Sequence, residues 1–119
     1  MQQIRLGVVE ARFADIVWQN APLTTLELVA LCKEELNWAR TTTYTVLKKL
    51  CDRGILKTEN SIVTVLIEKD RFYAIQSEKF VENTFAGSLP AFVAAFTSRK
   101  KPTKEELAEI RKLLDSIEG

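Results

Sequence analysis

The chain has 119 residues and a mass of 13.5 kDa, enough for one compact domain or two very small ones, which excludes a multidomain enzyme. Hydrophobic residues make up 46% and charged residues 28%, a composition typical of folded proteins and unlike that of disordered chains. The 17 basic residues nearly balance the 16 acidic ones, so the net charge of +1 gives no reason to expect a polyanionic partner for the chain as a whole.

Residue types that carry most enzyme chemistry and metal binding are scarce. The chain has no histidine, which removes His-based acid–base catalysis and most zinc sites, and it has no Gly-rich phosphate loop. We therefore expect no enzymatic activity, no cofactor and no bound metal. The longest apolar stretches, residues 62–67 and 90–96, are far shorter than the ~20 residues that span a bilayer, so we expect a cytoplasmic protein without membrane contact.

Three short helices are predicted in the first half of the chain. The first covers about residues 8–19, where apolar side chains recur at helical spacing. Thr24 and Glu27 match a capping box that opens the second helix. The third helix covers about residues 41–53 and ends at Gly54, where a left-handed residue is expected.

A β-hairpin is predicted after the three helices. Residues 62–67 are rich in β-branched side chains, residues 68–70 form a polar turn, and residues 71–75 are predicted as the returning strand. Helices followed by a hairpin are typical of a winged helix-turn-helix, which we assign to residues 1–76. The hairpin turn offers Lys69 and Arg71 as candidate DNA contacts, although charged hairpin tips can also serve solubility alone.

The third helix carries the strongest functional signal. Thr43, Val46, Leu47 and Leu50 form a core stripe, whereas small polar and basic side chains occupy the outward face. A helix that enters the major groove needs short polar side chains near base edges and cations near phosphates. A solvated amphipathic helix with incidental threonines is the alternative. The candidate DNA contacts in this segment are Arg40, Thr41, Thr42, Tyr44, Thr45, Lys48 and Lys49.

Residues 77–119 are predicted as a helical dimerisation region. Ser77 and Ser88 are candidate N-caps, and Thr103 with Glu106 forms another capping box. Four of the six phenylalanines fall in this region, in helices too short to bury them, so we expect a symmetric dimer interface. The alternative is that these helices cover the first domain. The candidate interface residues are Phe80, Phe85, Leu89, Phe92, Val93, Phe96, Leu107, Ile110, Leu114 and Ile117.

Three segments carry a resemblance to a known family. They are Glu10 through Trp18 with Pro22-Leu23-Thr24, then Trp38-Ala39-Arg40-Thr41-Thr42-Thr43-Tyr44-Thr45-Val46-Leu47-Lys48-Lys49-Leu50 with Arg53-Gly54, and Gly87-Ser88-Leu89 with Phe92, Val93 and Phe96. In their order and spacing these segments resemble the BlaI/MecI/CopY family of bacterial repressors, the penicillinase and methicillin-resistance regulators. The resemblance covers nearly the whole chain.

The resemblance implies a homodimer that binds double-stranded DNA at a palindromic promoter operator and blocks transcription, with Thr42 and Thr45 as the first candidates for base contacts. It also implies a regulatory protease as a partner, because the family's repressors are relieved by cleavage of an Asn-Phe bond. Here the corresponding pair is Ala95-Phe96, in which alanine stands in place of the asparagine. The copper-responsive branch carries C-terminal cysteines, whereas this chain has none after Cys51.

Two functions of different classes stay open from the sequence. A dimeric, sequence-specific DNA-binding repressor is the leading hypothesis. The alternative is a protein–protein interaction adaptor, in which the winged helix docks a protein partner and the basic helix is an ordinary polar surface.

Overall fold

The computed structural model describes residues 6–119, and the contacts divide the chain into two units, Met1–Ser77 and Glu78–Gly119. The first unit combines helices with a small antiparallel sheet. In chain order, the helices and strands that start in the first unit are α1 (Val8–Asn20), β1 (Leu23–Thr24), α2 (Thr25–Leu36), α3 (Arg40–Asp52), β2 (Leu56–Glu59), β3 (Ile62–Val65) and α4 (Lys69–Thr84).

Local sequence signals fix the ends of the helices that precede the hairpin. The Thr24 hydroxyl accepts a 3.0 Å hydrogen bond from the Glu27 backbone N–H, and the Glu27 carboxylate accepts one of 3.0 Å from the Thr24 backbone N–H. After α3, Gly54 has a φ of +78°, a conformation that glycine adopts without steric cost. The predicted capping box and the left-handed glycine are both confirmed.

The three strands form one sheet in the order β1-β3-β2, with both pairings antiparallel. Ile62 and Val63 of the central strand β3 have partners on both sides, and Val63 stands opposite Leu23 on one side and Thr58 on the other. The short strand β1 was not predicted, because two residues carry no alternating pattern. Its pairing ties the entry of α2 to the hairpin.

A single cluster of buried side chains holds the first unit together. Phe13, Leu28, Leu50 and Phe72 are fully buried in it, and each side chain of this size contributes ~1.5–3 kcal/mol through burial. The Trp38 ring stacks on Phe13 with 5.6 Å between centroids and 15° between planes. The connection between α2 and α3 is thus packed against α1 through the Trp38 ring.

The prediction of a turn and a strand over residues 68–75 is wrong, because these residues belong mostly to α4. Lys69 and Arg71 therefore lie in the first turn of a helix, and Ser77 is an interior helical residue and not an N-cap. The physical reason is tertiary: Phe72 and Tyr73 both contact the Trp18 ring, at centroid distances of 5.8 and 6.0 Å. These contacts outweigh the strand propensity of the aromatic and β-branched side chains.

The true hairpin lies earlier, between β2 and β3. Its two-residue tip is Asn60-Ser61, with φ values of +53° and +61°. The Ser61 carbonyl oxygen accepts a 3.0 Å hydrogen bond from the Thr25 backbone N–H. The tip is therefore attached to the first residue of α2.

The second unit contains the end of α4, then α5 (Leu89–Arg99) and α6 (Lys104–Glu118). The predicted caps are confirmed, since the Ser88 hydroxyl accepts from the Ala91 N–H at 3.1 Å and the Thr103 hydroxyl accepts from the Glu106 N–H at 3.0 Å. Within the described chain, six helices and one small sheet confirm the predicted fold class, a mainly α winged helix-turn-helix followed by C-terminal helices.

Candidate nucleic-acid interface

Helix α3 separates its side chains cleanly into two faces. Thr43, Leu47 and Leu50 are 1%, 4% and 0% exposed, so they anchor the helix in the core. Thr41 and Thr45 are exposed on the opposite side, as Lys48 is. The spacing of four and three residues places these three side chains on one outward stripe. The structure thus has the two faces that the sequence predicted.

Thr45 is bonded within the helix. Its hydroxyl donates a 2.9 Å hydrogen bond to the Thr41 carbonyl oxygen. This bond engages the hydroxyl proton and leaves a methyl group and an oxygen acceptor for any partner. Thr42 is also exposed and flanks the same stripe.

Arg40 and Tyr44 form a second feature at the start of α3. The Arg40 guanidinium carbon lies 5.6 Å from the centroid of the Tyr44 ring, a cation–π distance. Hydrogen bonding with Thr25 and then with Arg40 lowers the pKa of the Tyr44 hydroxyl below its ordinary value. Tyr44 is half-buried, so these contacts link the first turns of α2 and α3.

The lysines of α3 are paired with carboxylates. Lys48 Nζ lies 3.0 Å from Asp52 Oδ2, with both side chains largely exposed. Lys49 Nζ lies 3.6 Å from Glu10 Oε2, and that carboxylate also lies 3.9 Å from an Arg53 nitrogen. The Lys49 side chain is 57% exposed, so it is accessible to an anion from solvent.

The other two predicted cations are not part of the hairpin. Lys69 lies at the start of α4, and its ammonium group is 2.8 Å from Asp15 Oδ1. The hydrogen bond to that carboxylate, followed by its charge, raises the pKa of Lys69. Arg71 is exposed in the same helical turn. The prediction that these two residues stand at a hairpin tip is therefore wrong.

The exposed tip itself, Asn60-Ser61, was missed by sequence reasoning. The available signal was a pair of small polar residues between two β-capable runs, a common two-residue hairpin connection. Next to the tip, Lys57 Nζ lies 2.9 Å from Glu59 Oε2, and hydrogen bonding within this pair raises the pKa of Lys57 and lowers that of Glu59. The hairpin thus has a polar tip, and its one basic side chain, Lys57, is paired with the Glu59 carboxylate.

The predicted dimerisation residues lie on α4, α5 and α6 or beside them, within the second unit. Phe92 lies among three other rings, 6.0 Å from Phe80, 5.6 Å from Phe85 and 6.4 Å from Phe96 between centroids. The ring cluster nevertheless remains open to solvent, with Phe80 49% and Phe96 57% exposed.

The rest of this apolar surface is equally open. No residue of 78–119 is buried. Sequence reasoning missed one member, Leu113, which is 60% exposed. The remaining predicted residues with large exposed fractions are Leu89, Val93, Ile110, Leu114 and Ile117, while Phe85, Phe92 and Leu107 are half-buried.

Ala95 and Phe96, the pair that corresponds in sequence to the Asn-Phe bond, both lie in α5.

Membrane-spanning helices and metal-binding clusters are considered only for the described residues. None of their helices is both long and apolar enough to cross a bilayer. Among residues 6–119 there is also no group of three or more Cys, Asp or Glu side chains arranged to hold a metal ion.

Comparisons with known proteins give one family. The sequence model of the family described as Penicillinase repressor matches residues 6–116. A search of curated proteins finds no match to the chain.

Proposed function

The chain belongs to the penicillinase repressor family and is therefore a DNA-binding transcriptional repressor; on that premise, we propose that it acts as a homodimer on a palindromic promoter operator. Residues 1–76 bind DNA in this proposal and residues 77–119 join the two subunits. A promoter-binding repressor acts where the DNA is, so we also place it in the cytoplasm.

One observation carries the proposal for DNA recognition: the outward stripe of α3 presents Thr41, Thr45 and Lys48 from a helix whose other face is locked in the core. Threonine can contact a thymine methyl group or bond to a base, and lysine adds sequence-independent attraction to phosphates. We propose Thr42 and Thr45 for base contacts. The residues proposed for bases or backbone around them are Arg40, Thr41, Tyr44, Lys48 and Lys49.

Exposed apolar surface supports the proposal of a dimer. The second unit buries no side chain, although α5 and α6 carry apolar faces with Val93, Phe96 and Leu114 about half exposed. Exposed apolar faces of this kind mark interfaces between protein chains. A twofold dimer also doubles the half-site that one helix reads, which multiplies specificity.

The proposal is tested by selecting bound fragments from a random DNA pool with the full chain. We expect an enriched palindrome, whose two halves give the half-site and its spacing together. Binding of the enriched duplex should weaken steeply between low and physiological salt, because lysine–phosphate contacts release counterions. No enrichment, together with a flat salt response, would favour the protein–protein adaptor.

A further inference from the structure

The outward stripe of α3 ends in an acid. Asp52 is the last residue of the helix and follows Thr41, Thr45 and Lys48 at steps of four, three and four residues. It is the only acidic residue between Ala39 and Lys57, a segment with five basic residues. A carboxylate therefore shares the face that is proposed to meet the negatively charged duplex.

Helix stability does not account for this acid. A negative charge in the last turn opposes the helix macrodipole, which favours cations there. The ion pair with Lys48, 3.0 Å long, also has the less favourable order, with the lysine N-terminal to the acid. Both side chains are largely exposed, at 78% for Lys48 and 66% for Asp52, so the pair contributes little to folding.

We propose that Asp52 limits the affinity of the protein for DNA by competing with phosphate for Lys48, an inference that rests on the proposed function. When Lys48 binds a phosphate, it must leave a carboxylate that is already 3.0 Å away. The released carboxylate then faces the same polyanion. Because lysine–phosphate attraction is independent of sequence, Asp52 weakens binding to every duplex and shortens the time spent on DNA outside the operator.

Glu10, the second acidic residue near the α3 lysines, differs from Asp52 in its burial and in its contacts. Its side chain is only 19% exposed, it contacts both Lys49 and Arg53, and it accepts a 3.3 Å hydrogen bond from the Gly7 backbone N–H at the start of α1. Substituting Glu10 would remove the ion pairs that join α1 to Lys49 and Arg53 and would disturb the start of α1. Asp52 is therefore the residue at which competition can be measured without altering the fold.

The test compares Asp52→Asn with Glu82→Gln in the full chain. Glu82 forms an exposed pair with Lys79, 3.9 Å long, in α4, so both variants remove one negative charge from an exposed ion pair. The probe is a fluorescent duplex of random sequence, titrated by anisotropy at several salt concentrations. Circular dichroism checks that each variant keeps its helical content.

We expect Asp52→Asn to bind the duplex roughly 1.5- to 5-fold more tightly than Glu82→Gln, the range that exposed ion pairs produce. The plot of log affinity against log salt should steepen by up to about one unit, since Lys48 no longer exchanges one anion for another. In a Lys48→Ala background the gain from Asp52→Asn should shrink, because the competition acts through that lysine.

Each failure has a distinct signature. If the unaltered protein shows no salt-dependent binding to the duplex, the proposed function fails and this inference fails with it. If the unaltered protein binds but Asp52→Asn binds no more tightly than Glu82→Gln, only the inference fails. Weaker binding by Asp52→Asn would show that Asp52 is itself a DNA contact. An undiminished gain in the Lys48→Ala background would show that Asp52 repels the phosphates directly and does not compete with them for Lys48. Either result overturns the proposal that Asp52 competes with phosphate.

Discussion

The Thr45 hydroxyl donates a 2.9 Å hydrogen bond to the carbonyl oxygen of Thr41, one helical turn earlier. The hydroxyl proton is thus satisfied inside α3, although the side chain is exposed. What remains for a duplex is the methyl group, which complements the methyl of thymine in the major groove, and one acceptor.

Thr45→Ala should lose discrimination between the operator and random DNA by ~1–3 kcal/mol, because it removes the contact to a base. Thr45→Val keeps a methyl group in place and should retain most of that discrimination. The measurement is the ratio of dissociation constants for the two duplexes. An unchanged ratio in Thr45→Ala would mean that this face of α3 does not meet base edges.

Lys49→Ala should weaken binding to the operator and to random DNA about equally, since a lysine near phosphates adds sequence-independent attraction. The salt slope should fall by about one unit. Lys69→Ala is the matched control, because Lys69 lies in α4 and pairs with Asp15 at 2.8 Å. If Lys69→Ala lowers affinity as much as Lys49→Ala does, the DNA surface extends to α4.

Leu114→Glu should convert the proposed dimer into monomers, because it places a charge on the exposed apolar face of α6. Sedimentation at micromolar concentration should then give a mass of 13.5 kDa, that of one chain. Leu66→Glu is the control: Leu66 is similarly exposed, at 56%, but lies in the first unit, so this variant should stay dimeric. A monomeric mass for the unaltered protein would contradict the dimer.

Glu27→Gln should reduce the loss of stability at acidic pH. Hydrogen bonds from the Thr24 backbone and hydroxyl hold the pKa of Glu27 below its usual value. A carboxyl whose pKa is lowered by folding stabilises the protein above its unfolded pKa, near 4.3, and this contribution disappears as the pH falls through the folded pKa. Glutamine fills the same capping position without titrating.

Urea unfolding curves between neutral pH and pH values below 4.3 check this prediction. Glu106→Gln serves as a comparison, since the same hydrogen bonds from Thr103 lower the pKa of Glu106 at the start of α6. An acid dependence of Glu27→Gln identical to that of the unaltered protein would show that the capping box does not contribute to the pH profile.

Ser61→Gly should stabilise the protein by about 1 kcal/mol, because Ser61 has a φ of +61° in a two-residue hairpin tip where glycine avoids the steric cost of a Cβ. Ser61→Ala keeps the Cβ and should give no such gain. The midpoint of urea unfolding measures both. Equal midpoints for the two variants would contradict the argument.

Sequence reasoning succeeded where the signal was local. Thr24 with Glu27, Ser88, and Thr103 with Glu106 mark helix starts through hydrogen bonds within one turn, and the structure has all of them. The two faces of α3 were predictable for a similar reason, since the helical period alone decides which side chains share a side.

The hairpin was predicted too late in the chain, because the local signal at its Asn60-Ser61 tip was missed and the strand propensity of residues 71–75 is overridden by distant contacts. Residues 71–75 have strand propensity, yet Phe72 is fully buried and Tyr73 contacts Trp18 on α1. Strand β2 buries only Leu56, so it shows no alternation and exists through its pairing with β3.

The absence of any buried side chain in residues 78–119 has a thermodynamic consequence. In the proposed dimer these helices gain their apolar burial from the second subunit, so their melting temperature should rise as the protein concentration rises. Under this proposal, the concentration of the repressor sets how much of this segment is paired. Under the same proposal, newly made chains bind the operator as dimers only once their concentration exceeds the dissociation constant of the dimer.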